Sequence, residues 1–106
     1  MTSTAAAFAQ PIRLAYLESR LFLDGEVYTK KLRQLGLSRA SASADINLYL
    51  ARYGQVMNYC PHRKRFILNR RFKPRLVPKH QMAAFARYVE SIYSIAFKPL
   101  AKSVDL

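Results

Sequence analysis

One cysteine, three glycines and six acids stand among 106 residues, and each scarcity closes off a class of chemistry. Cys60 has no partner for an internal disulfide, which suits a reducing cytoplasm. Three isolated glycines build no phosphate-binding loop. The six acids are scattered, without a carboxylate pair for proton transfer, and neither His62 nor His80 has an obvious nucleophile partner. An enzyme is therefore not expected. Cys60 and His62 have a spacing seen in some metal sites, but His80 is the sole further soft ligand. Three such residues in no standard zinc pattern predict no metal, and no cofactor is expected either. No apolar run approaches the roughly 18 residues of a membrane span. The opening MTSTAAAFAQ lacks the basic segment of a signal peptide, and residues 1–10 read as a loose leader.

What the chain does have is positive charge, and it is gathered. The formal net charge is +12. Between Thr29 and Lys79 thirteen Lys or Arg face one acid, Asp45, whereas the flanks carry five of each sign and cancel. A neutral frame around a basic middle predicts one polyanion-binding surface. An anionic membrane is the weaker alternative, because the basic residues fall partly on strands and turns and not on one amphipathic helix.

The apolar pattern supplies the frame. Pro11 suits the first turn of a helix, whose apolar side is Ile12, Leu14, Leu17 and Leu21, with Glu18 and Arg20 on its solvated edge. Asp24-Gly25 ends it, and Val27-Tyr28 forms a brief bridge, at most one bond of strand. Thr29 is expected to cap a short helix carrying Leu32 and Leu35 on one face, stopped by Gly36. Ser38 caps a longer helix that runs to Gly54. At about 100° per residue, Ala42, Ile46, Tyr49 and Tyr53 share its core face, leaving Ala40, Ser43, Ala44 and Asn47 opposite and Ser41 beside them. Two short strands around Pro61 to Lys64 then predict a hairpin. NRRFKPRLVP reads as an extended strap, and a last helix runs from Lys79 to about Phe97. The expected class is mainly α with a small β-hairpin: a winged helix-turn-helix over 11–77, then a C-terminal helix and tail over 78–106.

In that frame the second helix of the pair is the one presented to a DNA major groove. Arg39, on its first turn, suits guanine O6 and N7, with a phosphate as the alternative. Ser41, Ser43 and Asn47 suit hydrogen bonds to bases or phosphates, and Ala40 and Ala44 suit thymine methyls. Thr29, Lys30 and Lys31 stand where a helix start favours a phosphate. Arg63, Lys64, Arg65, Arg70, Arg71, Lys73 and Arg75, with no acid between them, are expected to grip the backbone and to position the protein without reading sequence. Asp45 is assigned a structural pairing with Arg20, Arg39 or Arg52. Tyr59 is a candidate for base stacking, and His62 is expected in the wing turn either exposed or as another groove contact. On the last helix, Met82, Phe85, Val89, Ile92, Tyr93 and Ala96 are taken as a homodimer interface, because one helix with so much apolar surface exceeds what a single domain covers.

LESRLFLDGEV, KKLRQLGLSRASASADINLY, the hairpin and FKPRL resemble the N-terminal winged helix-turn-helix of WYL-domain transcriptional regulators. The likeness is greatest to the bacterial subgroup that represses phage-defence operons. It rests on Glu18, Arg20, Leu21, Gly25, Val27, Leu32, Gly36, Ser38, Ala42, Ser43, Asp45, Ile46, Tyr49, Phe72 and Pro74, and covers residues 11–77. The resemblance implies dimeric binding to palindromic operators and repression. It stops near Lys79, so the ligand-sensing WYL domain is not expected here, and three forms of control stay open: constitutive action, dependence on concentration, or a regulatory protein partner. Two rival readings remain: a basic winged helix that binds structured RNA, and an antirepressor that joins a longer relative through its last helix.

Overall fold

The computed structural model describes residues 9–97, with side chains through 95. Helix α1, Gln10–Asp24, begins with Pro11 in its first turn and stops at Gly25, whose φ of 78° lets its N–H turn back to the Leu21 carbonyl. Leu14, Leu17 and Leu21 are buried as their spacing predicts, together with Tyr16. Ile12, expected on the same side, is exposed. The larger departure is Glu18. Expected at the solvated edge, it is 0% exposed.

Strand β1, Glu26–Val27, is a real element and the third strand of the wing. It pairs antiparallel with β3, Arg65–Leu68, which pairs on its other side with β2, Met57–Cys60, giving the order β1-β3-β2. The hairpin loop is the expected 61–64, with Lys64 the one non-glycine at positive φ (57°) among the described residues. Four-residue hairpin loops are built around such turns, so no Asn-Gly pair is needed.

Helix α2 spans Thr29–Arg33, with Tyr28 and not Thr29 at the cap position and no side chain capping it. Thr29 is therefore the first helical residue. The helix stops short of Gly36, which lies in the following turn with φ 88°. Helix α3, Arg39–Tyr53, starts as its sequence predicts: Ser38 Oγ accepts the Ser41 N–H at 3.0 Å. Ala42, Ile46 and Tyr49 enter the core, and Tyr53 packs at its margin.

After the hairpin the chain crosses as an irregular strap and begins α4, Lys79–Ile92, which continues as a π-helical turn over Tyr93–Phe97. Helix α4 packs along α1. Met82, Ala86 and Val89 are buried there, and Phe85 and Tyr93 pack against the same core. Of the expected dimer stripe, Met82 and Val89 are buried within their own domain, because α1 supplies an apolar partner that the sequence alone left unassigned, and Phe85 and Tyr93 are half-buried against the same core. Ile92 is half-buried, and the side chain of Ala96 lies outside the described residues. The exposed apolar groups here are instead Tyr88, 66% exposed, and Ile95, 75% exposed.

Candidate nucleic-acid interface

Helix α3 turns Arg39, Ala40, Ala44 and Asn47 to solvent, with Ser41 and Ser43 half-exposed. Small side chains along this face let another surface approach the helix backbone closely. Between its first turns and the wing runs an open cleft of about 610 Å³, lined by Tyr28, Thr29, Arg39, Ser43, Tyr59, Lys64 and Phe66. Residues separated by more than thirty positions thus meet in one place, and the lining holds two cations and no acid. Tyr59 is 51% exposed. Its ring leans on Phe66 with centroids 4.9 Å apart, which fixes an aromatic wall on the wing side. Lys30 is exposed and Lys31 half-exposed on α2 nearby in sequence.

The acid of α3 is kept off this face. Asp45 is buried and receives a bidentate pair from Arg13 of α1, Nε to Oδ2 at 2.8 Å and Nη2 to Oδ1 at 3.0 Å. The structural role assigned to Asp45 is right, but its partner is none of Arg20, Arg39 and Arg52. Arg20 is taken by Asp24 and Glu90. Arg39 and Arg52 stay exposed. A fork-shaped guanidinium matched to a carboxylate is the strong form of such a pair, so it ties α1 to α3 with defined geometry.

Glu18 ties the strap. Its Oε1 accepts the Tyr49 hydroxyl and the Arg75 N–H (2.8 Å), while Oε2 accepts the N–H groups of Leu76 and Val77, both at 2.7 Å. Four donors from α3 and the strap converge on one carboxylate. The Tyr49 hydroxyl is pushed well above its ordinary pKa, first by burial and then by this bond to an anion. Tyr16 is raised in the same way by burial and by its bond to Glu90.

The seven cations of the expected backbone grip lie on two segments, the wing and the strap. Arg63, Lys64 and Arg65 lie at the wing, where Glu26 engages both arginines. Arg65 also lies 4.6 Å over the Tyr28 ring. Arg70, Arg71, Lys73 and Arg75 lie on the strap, all exposed. Arg70 lines a separate hollow with Phe22, Leu68, Phe72 and Lys79, and Arg75 stands 6.0 Å over the Tyr53 ring. Sequence reasoning missed Arg13, Glu18, Glu26 and Tyr28. A signal existed for Glu18: at about 100° per residue it lies about 40° from Leu14, inside the apolar arc. Glu26 carried none, because its partners approach through a sheet register the sequence does not display.

Cys60 is half-buried on β2, and His62 and His80 are exposed. Among the described residues no group of three or more His, Cys, Asp or Glu side chains could hold a metal ion, and no helix is long and apolar enough to cross a membrane.

A search of curated proteins finds no match to this chain. A family model described as the BrxR transcriptional regulator winged helix-turn-helix domain matches residues 9–90, from the start of α1 through most of α4. The matched span contains the three-helix core, the wing and the cleft between them, and the chain therefore belongs to the family of winged helix-turn-helix DNA-binding domains of BrxR transcriptional regulators.

Proposed function

We propose that this domain binds double-stranded DNA in a sequence-dependent manner and represses transcription as a homodimer on a palindromic operator. The observation that carries the reading is the acid-free cleft, in which Arg39 and Ser43 of α3 stand opposite Tyr59 and Lys64 of the wing. In this arrangement α3 enters the major groove, with Arg39 and Asn47 on base edges and Ser41, Ser43, Ala40 and Ala44 completing the contact. Thr29, Lys30 and Lys31 meet a phosphate beside the groove. The wing and strap hold flanking phosphates. Two copies joined through the outer side of α4, around Tyr88 and Ile95, would read two half-sites and so compensate for the modest number of base contacts on each. Such a protein acts on DNA in the cytoplasm.

Selection from a random duplex pool tests this directly. A recovered palindrome is expected, bound with a stoichiometry of two chains, and a reporter under that sequence should be silenced. Enrichment of structured RNA over duplex DNA in a mixed pool would replace this reading with an RNA-binding one. Arg39→Ala should lower preference for the selected site over random duplex. Equal losses on both would remove Arg39 from base reading.

A further inference from the structure

Glu26 stands on β1 at the edge of the wing sheet. Its Oε1 lies 3.0 Å from Arg63 Nη2, and its Oε2 receives Arg65 Nη1. The other acids of the described residues are engaged elsewhere, by the strap, by Arg20 or by Arg13. Glu26 therefore supplies the negative charge at the wing, and one carboxylate serves two guanidiniums. The two are held differently. Arg65 is fixed on β3 and also covers the Tyr28 ring at 4.6 Å. Arg63 is in the 61–64 loop, its side chain 56% exposed, beside Lys64, which lines the cleft.

We infer that Glu26 is an internal counter-ion that sets how many wing charges reach the DNA backbone: it holds both arginines in the free protein, yields Arg63 to a phosphate on binding, and retains Arg65. The inference rests on the DNA-binding reading and adds a regulator of its selectivity. A wing carrying three unopposed cations would bind any duplex tightly, and sequence-independent affinity lowers the ratio on which operator choice depends. With Arg65 kept on Glu26, that contribution is capped.

Glu26→Gln in the full chain keeps the shape and removes the charge. Its affinity for random duplex is expected to rise about three- to tenfold, with the log–log salt slope steeper by about 0.9 as Arg65 gains a phosphate. Preference for the operator should fall. Adding Arg65→Gln should return the slope to that of the unaltered protein, while Arg63→Gln alone should flatten it by about 0.9. An unchanged or flatter slope in a folded Glu26→Gln protein overturns the inference. If that variant does not fold, an unchanged slope in Arg63→Gln overturns it. Retention on heparin, a polyanion without bases, separates this from the DNA-binding reading. Should the unaltered protein bind no duplex, that reading fails. Elution of Glu26→Gln at higher salt than the unaltered protein still supports the counter-ion, and elution at the same salt refutes it.

Discussion

At Glu18 a carboxylate has been taken fully out of water with no ion pair to meet it among the described residues, and hydrogen bonds offset that cost. The Tyr49 hydroxyl and three consecutive strap N–H groups provide them. Removing the acceptor strands four donors, so Glu18→Ala is expected to cost about 3–5 kcal/mol. Glu18→Gln, whose amide nitrogen cannot accept, should cost about 2–4 kcal/mol. Urea unfolding monitored by circular dichroism measures both; a loss under about 1 kcal/mol would mean the strap is held by other contacts. The same site predicts an alkaline limit. The pKa values of Tyr49 and Tyr16 are raised in the folded state, so the native protein keeps protons that the unfolded chain releases. This stabilisation is complete below the ordinary tyrosine pKa of about 10 and is lost as pH rises above it. Unfolding free energy should therefore fall between about pH 10 and 12, with a smaller slope in Tyr49→Phe. Equal slopes in the two proteins would place the tyrosine's titration outside the folding equilibrium.

Among the elements, α3 shows why sequence was informative. Its Ser38 cap, its terminal glycine and the Ala42, Ile46, Tyr49 face are local signals, and each appears in the structure as expected. The ends of α1 and α3, the hairpin and its loop were legible for the same reason, because they depend on residues close together in sequence, whereas both ends of α2 departed from expectation. Pairings between distant segments were not. Nothing near Asp45 in sequence points to Arg13, and nothing near Met82 or Val89 reveals that α1 will cover them. The turn between α2 and α3 joins the two kinds of constraint. Gly36 has a φ of 88°, and a Cβ built there would lie 3.1 Å from the Tyr93 hydroxyl and 3.2 Å from its Cε1. Its left-handed backbone was foreseeable from a helix stop, whereas the close approach of Tyr93, fifty-seven positions on, was not. Gly36→Ala is expected to lose about 1–3 kcal/mol, combining backbone strain with displacement of the ring. In a Tyr93→Ala background the crowding is gone, so the same substitution should cost less, near the backbone component alone. Additive losses in that double-mutant cycle would show that ring and glycine do not act together.

For the molecule as a whole, the distribution of its +12 charge decides how it meets DNA. Arg13, Arg20, Arg63 and Arg65 are paired with acids that also join the elements together, so those charges serve the fold or are rationed at the wing. The exposed strap cations form no ion pair with an acid among the described residues; Glu18 holds the strap backbone at Arg75, and Asn69 Oδ1 accepts the Arg71 N–H at 3.1 Å. The strap is thus a positioned charge bar and not a loose basic tail. Its cations should add affinity without adding selectivity. Replacing Arg70 and Arg71 by alanine is expected to weaken binding to operator and random duplex by the same factor, flattening the salt slope by about 0.9 for each phosphate no longer neutralised. Neither residue lines the cleft, and Arg70 lines the hollow beside Phe22 and Lys79, so the single variants report how the loss divides between them. Binding isotherms across a salt series for each single variant would settle the division. A slope unchanged in the double variant would mean the strap stays off the DNA, leaving α2, α3 and the wing as the whole DNA-facing surface. A loss confined to the operator would mean that the strap reads sequence.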